Sequence, residues 1–121
     1  MKLAIVGSRA FTCTNSLDTF ILDHVDLDRI THIVPGGASG ADTCAEEIAE
    51  KYGKEMVVFK PYWDKYGKSA GYRRNVDIIT NSDVVVAAWD GESKGTKHSI
   101  DIANQQEKPV HIFRYDLRRS Y

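Results

Sequence analysis

"HIVPGGASGADTCAEEIAEKYGKEMVVFKP", residues 32–61, holds the pattern on which the fold turns. "HIVPGG" (32–37) is an apolar run that ends in adjacent glycines, and it reads as a strand entering a tight turn. Over 40–53, Ala41, Cys44, Ala45, Ile48, Ala49 and Tyr52 recur at helical spacing, and Gly53 stops the pattern. "EMVVFKP" (55–61) then reads as a second strand. A strand, a helix and a strand in so few residues call for a right-handed crossover between parallel strands.

The same alternation extends in both directions. "KLAIVG" (2–7) reads as a strand, and "SLDTFILDHVDL" (16–27) as a helix carrying Leu17, Phe20, Ile21 and Val25 on one face, capped by Asn15 or Ser16. "AGYRRNVDIITNS" (70–82) is a predicted helix, "DVVVAAW" (83–89) a strand, "GTKHSIDIANQQE" (95–107) a helix and "KPVHIFR" (108–114) a fifth strand. These strands are short, apolar throughout and rich in Val and Ile, which suits a sheet covered on both faces. The expected fold is α/β: a single doubly wound Rossmann-like domain over 1–121, about five parallel strands with helices on both faces. One long irregular connection is expected, "KPYWDKYGKSAG" (60–71), of a length at which loops usually carry function.

The totals narrow the function classes. The chain has 121 residues, 42% of them hydrophobic, so a single core is expected. A chain of this size buries about 65% of the surface its unfolded form exposes. Sixteen basic residues against 17 acidic leave a net charge of −1, so no global field recruits nucleic acid or an anionic membrane. The basic end "RYDLRRSY" (114–121) reads as a solvated tail. Cys13 and Cys44 lack metal-ligand spacing and read as reduced thiols, which gives a cytoplasmic expectation. His24, His32, His98 and His111 are scattered, so neither a metal nor a cofactor is expected. "MKLAIVGS" (1–8) is too short for a signal peptide and runs straight into a strand, so no leader is expected. No apolar stretch approaches the ~20 residues of a membrane span.

In a doubly wound sheet, ligands sit beyond the carboxyl ends of the strands, where the strand order reverses. Glycine-rich segments follow the first, second and fourth strands here. In "VGSR" (6–9), Gly7 allows the turn, and Ser8 and Arg9 can face a phosphate or carboxylate; an exposed arginine after a turn is the alternative. In "PGGASGAD" (35–42), Gly36, Gly37 and Gly40 permit close backbone approach, Ser39 adds a hydroxyl, and the helix that follows offers free N–H groups. This is neither a GxGxxG fingerprint nor a Walker A loop. Asp42 falls in the first helical turn, where it either complements the dipole or accepts a ribose hydroxyl. In "WDGESKGTKHSI" (89–100), Gly91, Ser93, Gly95 and Thr96 repeat the arrangement. Two such turns would converge on one anion.

Arg73 and Arg74 open a helix, where a cation opposes the dipole, and this points to an anionic ligand beside them. Tyr62, Trp63 and Tyr66 either stack on a base or are half-buried loop aromatics, and Trp89 is a second candidate to cover a base.

Taken together, "GSR" (7–9), "GGASGAD" (36–42), Trp63, "AGYRRN" (70–75), "SDVVVAAWDG" (82–91) and "SKGTKHSI" (93–100) resemble the SLOG superfamily in its YspA-related branch. The resemblance covers most of the chain in order. It implies a Rossmann-like domain that binds nucleotide-derived ligands. The superfamily includes LONELY GUY phosphoribohydrolases, the DNA-processing protein of bacterial transformation, and sensor domains reading NAD-derived signals. Arg74 matches the arginine of the phosphoribohydrolase Arg-Lys pair, with Asn75 in place of the lysine. Gly95 and Thr96 match the Gly-Thr of its phosphate loop. The catalytic glutamate falls at Ser99, which puts that reaction in doubt, and His98, Asp101, Asp42 or Asp90 would have to substitute. Relatives often pair through helices beside the site, which implies a homodimer.

Three functions follow as expectations. The first is a module that binds a small nucleotide ligand such as ADP-ribose, a nucleoside monophosphate or a cyclic relative, as a sensor or sponge. Gly37, Gly40, Gly95 and Thr96 would hold phosphate, Arg9 and Arg74 would neutralise it, Asp42 would read ribose, and Trp63 or Trp89 would cover the base. The second is N-glycosidic hydrolysis of a nucleoside 5′-phosphate, with Arg74 and a carboxylate from Asp42 or Asp90 in catalytic roles. The third is single-stranded nucleic acid on a local patch of Lys65, Lys68, Arg73 and Arg74, against which the near-neutral charge argues.

Overall fold

The computed structural model describes residues 1–8, 11, 15–37 and 39–115. Five strands form one sheet: β1 (Lys2–Gly7), β2 (His32–Pro35), β3 (Glu55–Met56), β4 (Val84–Trp89) and β5 (Val110–Arg114). Their order is β3-β2-β1-β4-β5, and every pairing is parallel. The helices are α1 (Asn15–His24), α2 (Ser39–Lys51), α3 (Trp63–Tyr66), α4 (Ala70–Thr80) and α5 (Lys94–Gln105). The α/β, doubly wound, Rossmann-like architecture expected from the sequence is the one observed. No helix among the described residues is long and apolar enough to cross a membrane.

Alternation along the central strands divides the core in two. Leu3 and Ile5 of β1, with Val84, Val86 and Ala88 of β4, face α1 and α2 and pack on Leu17, Ile21, Ala45 and Ile48. Ala4 and Val6, with Val85 and Ala87, face the other way and pack on Ile78 and Ile79 of α4 and Ile100 and Ala103 of α5. Both sides of β1 and β4 are thus buried, which is why these strands read as unbroken apolar runs rather than alternating ones. The chain steps from β1 outward to β2 and β3. It then returns across the sheet to β4 on the far side of β1. The order reverses between β1 and β4, and the carboxyl ends of those two strands part there.

Several boundaries differ from the sequence expectation. The third strand is two residues long rather than seven, although Val57 N–H still donates to the Ile33 carbonyl at 3.0 Å. The next ladder bond would come from residue 35 of β2, and Pro35 has no N–H to give, so the pairing stops. The expected irregular connection over 60–71 contains α3 and a 3-10 turn, Gly67–Ser69, leading directly into α4. The first helix ends at His24, and a separate 3-10 turn, Leu27–Arg29, follows, capped by the Asp26 carboxylate on the Asp28 N–H at 3.1 Å. Cys44, expected as a reduced thiol, is disulfide-bonded, so thiol state no longer argues for a reducing compartment.

Candidate functional site

A cavity of about 450 Å³ opens at the point where the strand order reverses. Its described lining comes from the end of β1 (Val6, Gly7, Ser8), the turn after β2 (Gly36, Gly37), α4 (Arg74, Asn75), the turn after β4 (Asp90, Ser93) and the first turns of α5 (Gly95, Thr96, Ser99). Both glycine-rich turns singled out in the sequence therefore border one space.

The β2 turn is shaped by the arginine that lies across it. Gly37 adopts φ +86°, and a Cβ there would collide with the Arg74 guanidinium. Gly36 passes so close to β1 that its Cβ would stand 2.9 Å from the Val6 Cα. Asp42, in the first turn of α2, accepts the Gly37 N–H at 2.7 Å. Burial raises the Asp42 pKa above the ordinary carboxylate value; the Gly37 N–H and Arg74 oppose this, while Glu46 adds to it. The carboxylate expected to read a ribose thus holds the turn on which Arg74 rests.

The β4 turn is organised by Asp90. Its Oδ1 accepts the N–H groups of Glu92 and Ser93, each at 2.8 Å. Those two bonds hold the Asp90 carboxyl below the usual range, with Arg114 contributing, so it stays ionised at the cavity rim. Ser93 caps α5: its hydroxyl accepts from Thr96 N–H at 3.5 Å and bonds the Thr96 hydroxyl at 3.1 Å. Gly95 leaves open space where a side chain would begin. The first turn of α5 therefore presents backbone and small hydroxyls to the cavity, together with the positive end of its dipole. Thr96 and Ser99 are buried at 3% and 4% exposure.

Opposite α5, Asn75 Nδ2 donates to His98 Nδ1 at 3.3 Å, and the Tyr72 ring packs on His98 with centroids 4.1 Å apart. Burial pushes the His98 ring below the usual histidine pKa, and Asp101 works against that shift. On the β1 side, Ser8 Oγ shares a hydrogen bond with the Tyr115 hydroxyl.

The candidate residues divide accordingly. Gly7, Ser8, Gly36, Gly37, Arg74, Asn75, Asp90, Ser93, Gly95 and Thr96 line the cavity. Arg73 points elsewhere: its guanidinium lies 4.2 Å over the Tyr66 ring, and its Nε donates to Ser69 Oγ at 3.3 Å. Trp89 is tied through its indole N–H to the Ser93 carbonyl at 3.1 Å and lies under the Arg114 guanidinium. Gly40 belongs to α2. Arg9 and the side chains of Ser39 and Trp63 lie outside the described residues.

Sequence reasoning missed Val6 on the cavity floor, and it missed Arg114 and Tyr115, which it assigned to a solvated tail. Tyr115 joins the end of β1 through Ser8, and Arg114 lies over Trp89 of the neighbouring strand; no local pattern carries either signal.

The fold and its cleft define an α/β protein of Rossmann-like architecture. Gene 61 protein of Mycobacterium phage D29 is 30% identical to this chain over 118 residues, covering 90% of the chain and 93% of the phage protein. The chain belongs to the family of that phage protein. No protein-family model matches the chain, and no solved structure does.

Proposed function

We propose that the chain is a member of the SLOG superfamily that binds a phosphorylated, nucleotide-derived ligand, as a sensor or sponge. One observation carries the reading: the first turn of α5 and the Arg74 guanidinium border the same cavity, at the switch point of the sheet. Open backbone at Gly95, the hydroxyls of Ser93, Thr96 and Ser99, and a fixed cation suit a phosphate, which takes several hydrogen bonds and carries charge. The positive φ at Gly37 and the Asp42 bond shape a turn that leaves room for the Arg74 guanidinium beside the cavity.

Binding without cleavage is the preferred form of this reading. Asp90 has one carboxylate oxygen committed to the turn, Asp42 is committed to Gly37, and Ser99 stands where the resemblance puts the catalytic glutamate. A homodimer would use the exposed strip of Tyr72 and Val76 on α4, 62% and 41% exposed, and sedimentation of the purified chain tests that directly.

The test is equilibrium filtration against AMP, ADP-ribose, NAD, cyclic ADP-ribose and a cytokinin nucleotide, with retained and free pools read by mass spectrometry. A ligand retained intact supports the reading. Free base with ribose 5-phosphate replaces it with hydrolysis, and retention of nothing overturns it.

A further inference from the structure

We propose that His98 is a positioning residue that turns the Asn75 carbonyl oxygen into the cavity, so that the site selects ligands carrying a hydroxyl near their phosphate. The inference rests on the nucleotide-binding reading above and deepens it. The Asn75 amide nitrogen is the atom that meets His98 Nδ1, at 3.3 Å. An amide nitrogen only donates, so Nδ1 accepts and the neutral ring carries its proton on Nε2. The amide is planar with two unlike ends. With its nitrogen held by His98, its carbonyl is the end left for the cavity that Asn75 lines. The Tyr72 ring packs on the imidazole, with centroids 4.1 Å apart and a tilt of 56°.

A carbonyl acceptor at that wall does not suit a phosphate oxygen. It suits a hydroxyl donor, and a ligand without one leaves the acceptor unpaired in a partly buried space. The anion is accommodated by α5 and Arg74, and the hydroxyl by Asn75. This describes a phosphorylated sugar rather than a bare phosphate or an acyl phosphate.

The arrangement is sensitive to pH. The groups facing His98 are Tyr72 and Asn75 from α4 and Asp101 from its own helix, and Asp101 is already paired with Lys97 at 3.0 Å. Once His98 is protonated, Nδ1 becomes a donor and can no longer accept from the amide nitrogen. The amide then reverses, and a donor replaces the acceptor at the cavity wall.

Calorimetric binding of AMP, 2′-deoxy-AMP and 3′-deoxy-AMP tests this at pH 7.5 and at an acidic pH where long-range ¹H–¹⁵N spectra show the His98 ring protonated. Ratios between the three ligands cancel the titration of their common phosphate. At pH 7.5 at least one deoxy form should bind about ten-fold more weakly than AMP, and the difference should shrink at the acidic pH. His98→Asn, whose Oδ1 takes the place of Nδ1 as an acceptor that does not titrate, should keep the discrimination at both pH values. His98→Ala should lose it at both. Equal affinity for all three ligands in the wild type overturns the inference alone. So does a proton on Nδ1 at pH 7.5, or a His98→Ala variant with the wild-type ratio and pH profile. Binding of none of the three overturns it, while the reading on which it rests stands or falls by the wider nucleotide panel.

Discussion

Gly37 concentrates two demands in one residue. Its backbone is left-handed, and its missing side chain is the space that Arg74 occupies. Gly37→Ala should therefore destabilise the fold by about 1–2 kcal/mol through the backbone alone, read as a lower urea midpoint. It should also weaken nucleotide binding by more than the loss of stability explains, because Arg74 must move. An alanine variant with wild-type affinity would mean that Arg74 does not hold the ligand. Asp42 is the companion case. Because burial raises its folded pKa, its ionised form costs stability above that pKa, and the cost disappears as pH falls through it. Asp42→Asn keeps an oxygen for the Gly37 N–H without the buried charge, so at pH 7 its urea midpoint should equal or exceed that of wild type. Asp42→Ala, which leaves that N–H without its acceptor, should fall below it.

Among the elements, the ends of α2 and α5 invite comparison. Both close with the same paired bonds: Gly53 to Glu50 O with Lys54 to Ala49 O, and Glu107 to Asn104 O with Lys108 to Ala103 O. The left-handed position is a glycine in α2 and a glutamate in α5, at φ 57°. Glu107→Gly should raise stability by about 0.5–1 kcal/mol, and an unchanged or lower urea midpoint would contradict that. What holds the strained end in place is Lys108, whose ammonium donates to the carbonyls of Ile79, Thr80 and Ser82 at 2.6–2.7 Å and so binds α5 to the end of α4. The corresponding tie between α1 and α2 is Asp18, which accepts from Lys51 and, at 2.8 Å, from the Tyr52 hydroxyl. Burial alone would raise Asp18, but the two hydrogen bonds outweigh it and its pKa lies below the ordinary value. A depressed folded pKa means stability that is present above the unfolded value of about 3.9 and is lost as pH falls through the folded one. Asp18→Asn should thus lower the urea midpoint at pH 7, with the gap to wild type closing below about pH 4.

These elements also mark how far the sequence could be read. β1 and β4 were legible because burial on both faces leaves only apolar residues, and the turns were legible because adjacent glycines have few other uses. β3 was overextended because "EMVVF" has strand chemistry, while the limit on its pairing lies in Pro35, twenty positions earlier. Arg74 and Arg73 are adjacent and look alike in the sequence. Only the rotation of α4, which no local pattern reports, sends one to Gly37 and the other to Tyr66.

For the molecule as a whole, a ligand that binds the cavity must stabilise the fold, since the cavity exists only when both halves of the sheet are joined. At one hundred times its Kd, a ligand adds about 2.7 kcal/mol, which for a chain of this length raises Tm by on the order of 10 °C. A scan of the proposed nucleotides by thermal melting should therefore separate binders from non-binders. A tight binder that leaves Tm unchanged would have to bind the unfolded chain as well as the folded one.

The strand order has a further consequence for how the protein is made. Of the five strands, β1 is made first and is the middle strand of the finished sheet. β2 covers one of its edges early, but β4, which begins at Val84, arrives much later. In the interval Leu3–Gly7 offers an open apolar edge, the kind of surface that chaperones shield and that seeds aggregation. The α4 and α5 walls of the cavity, from Arg74 to Ser99, come from the late half. A nascent or truncated chain that lacks them has no site to fill, so ligand engagement marks a chain whose synthesis has passed α5.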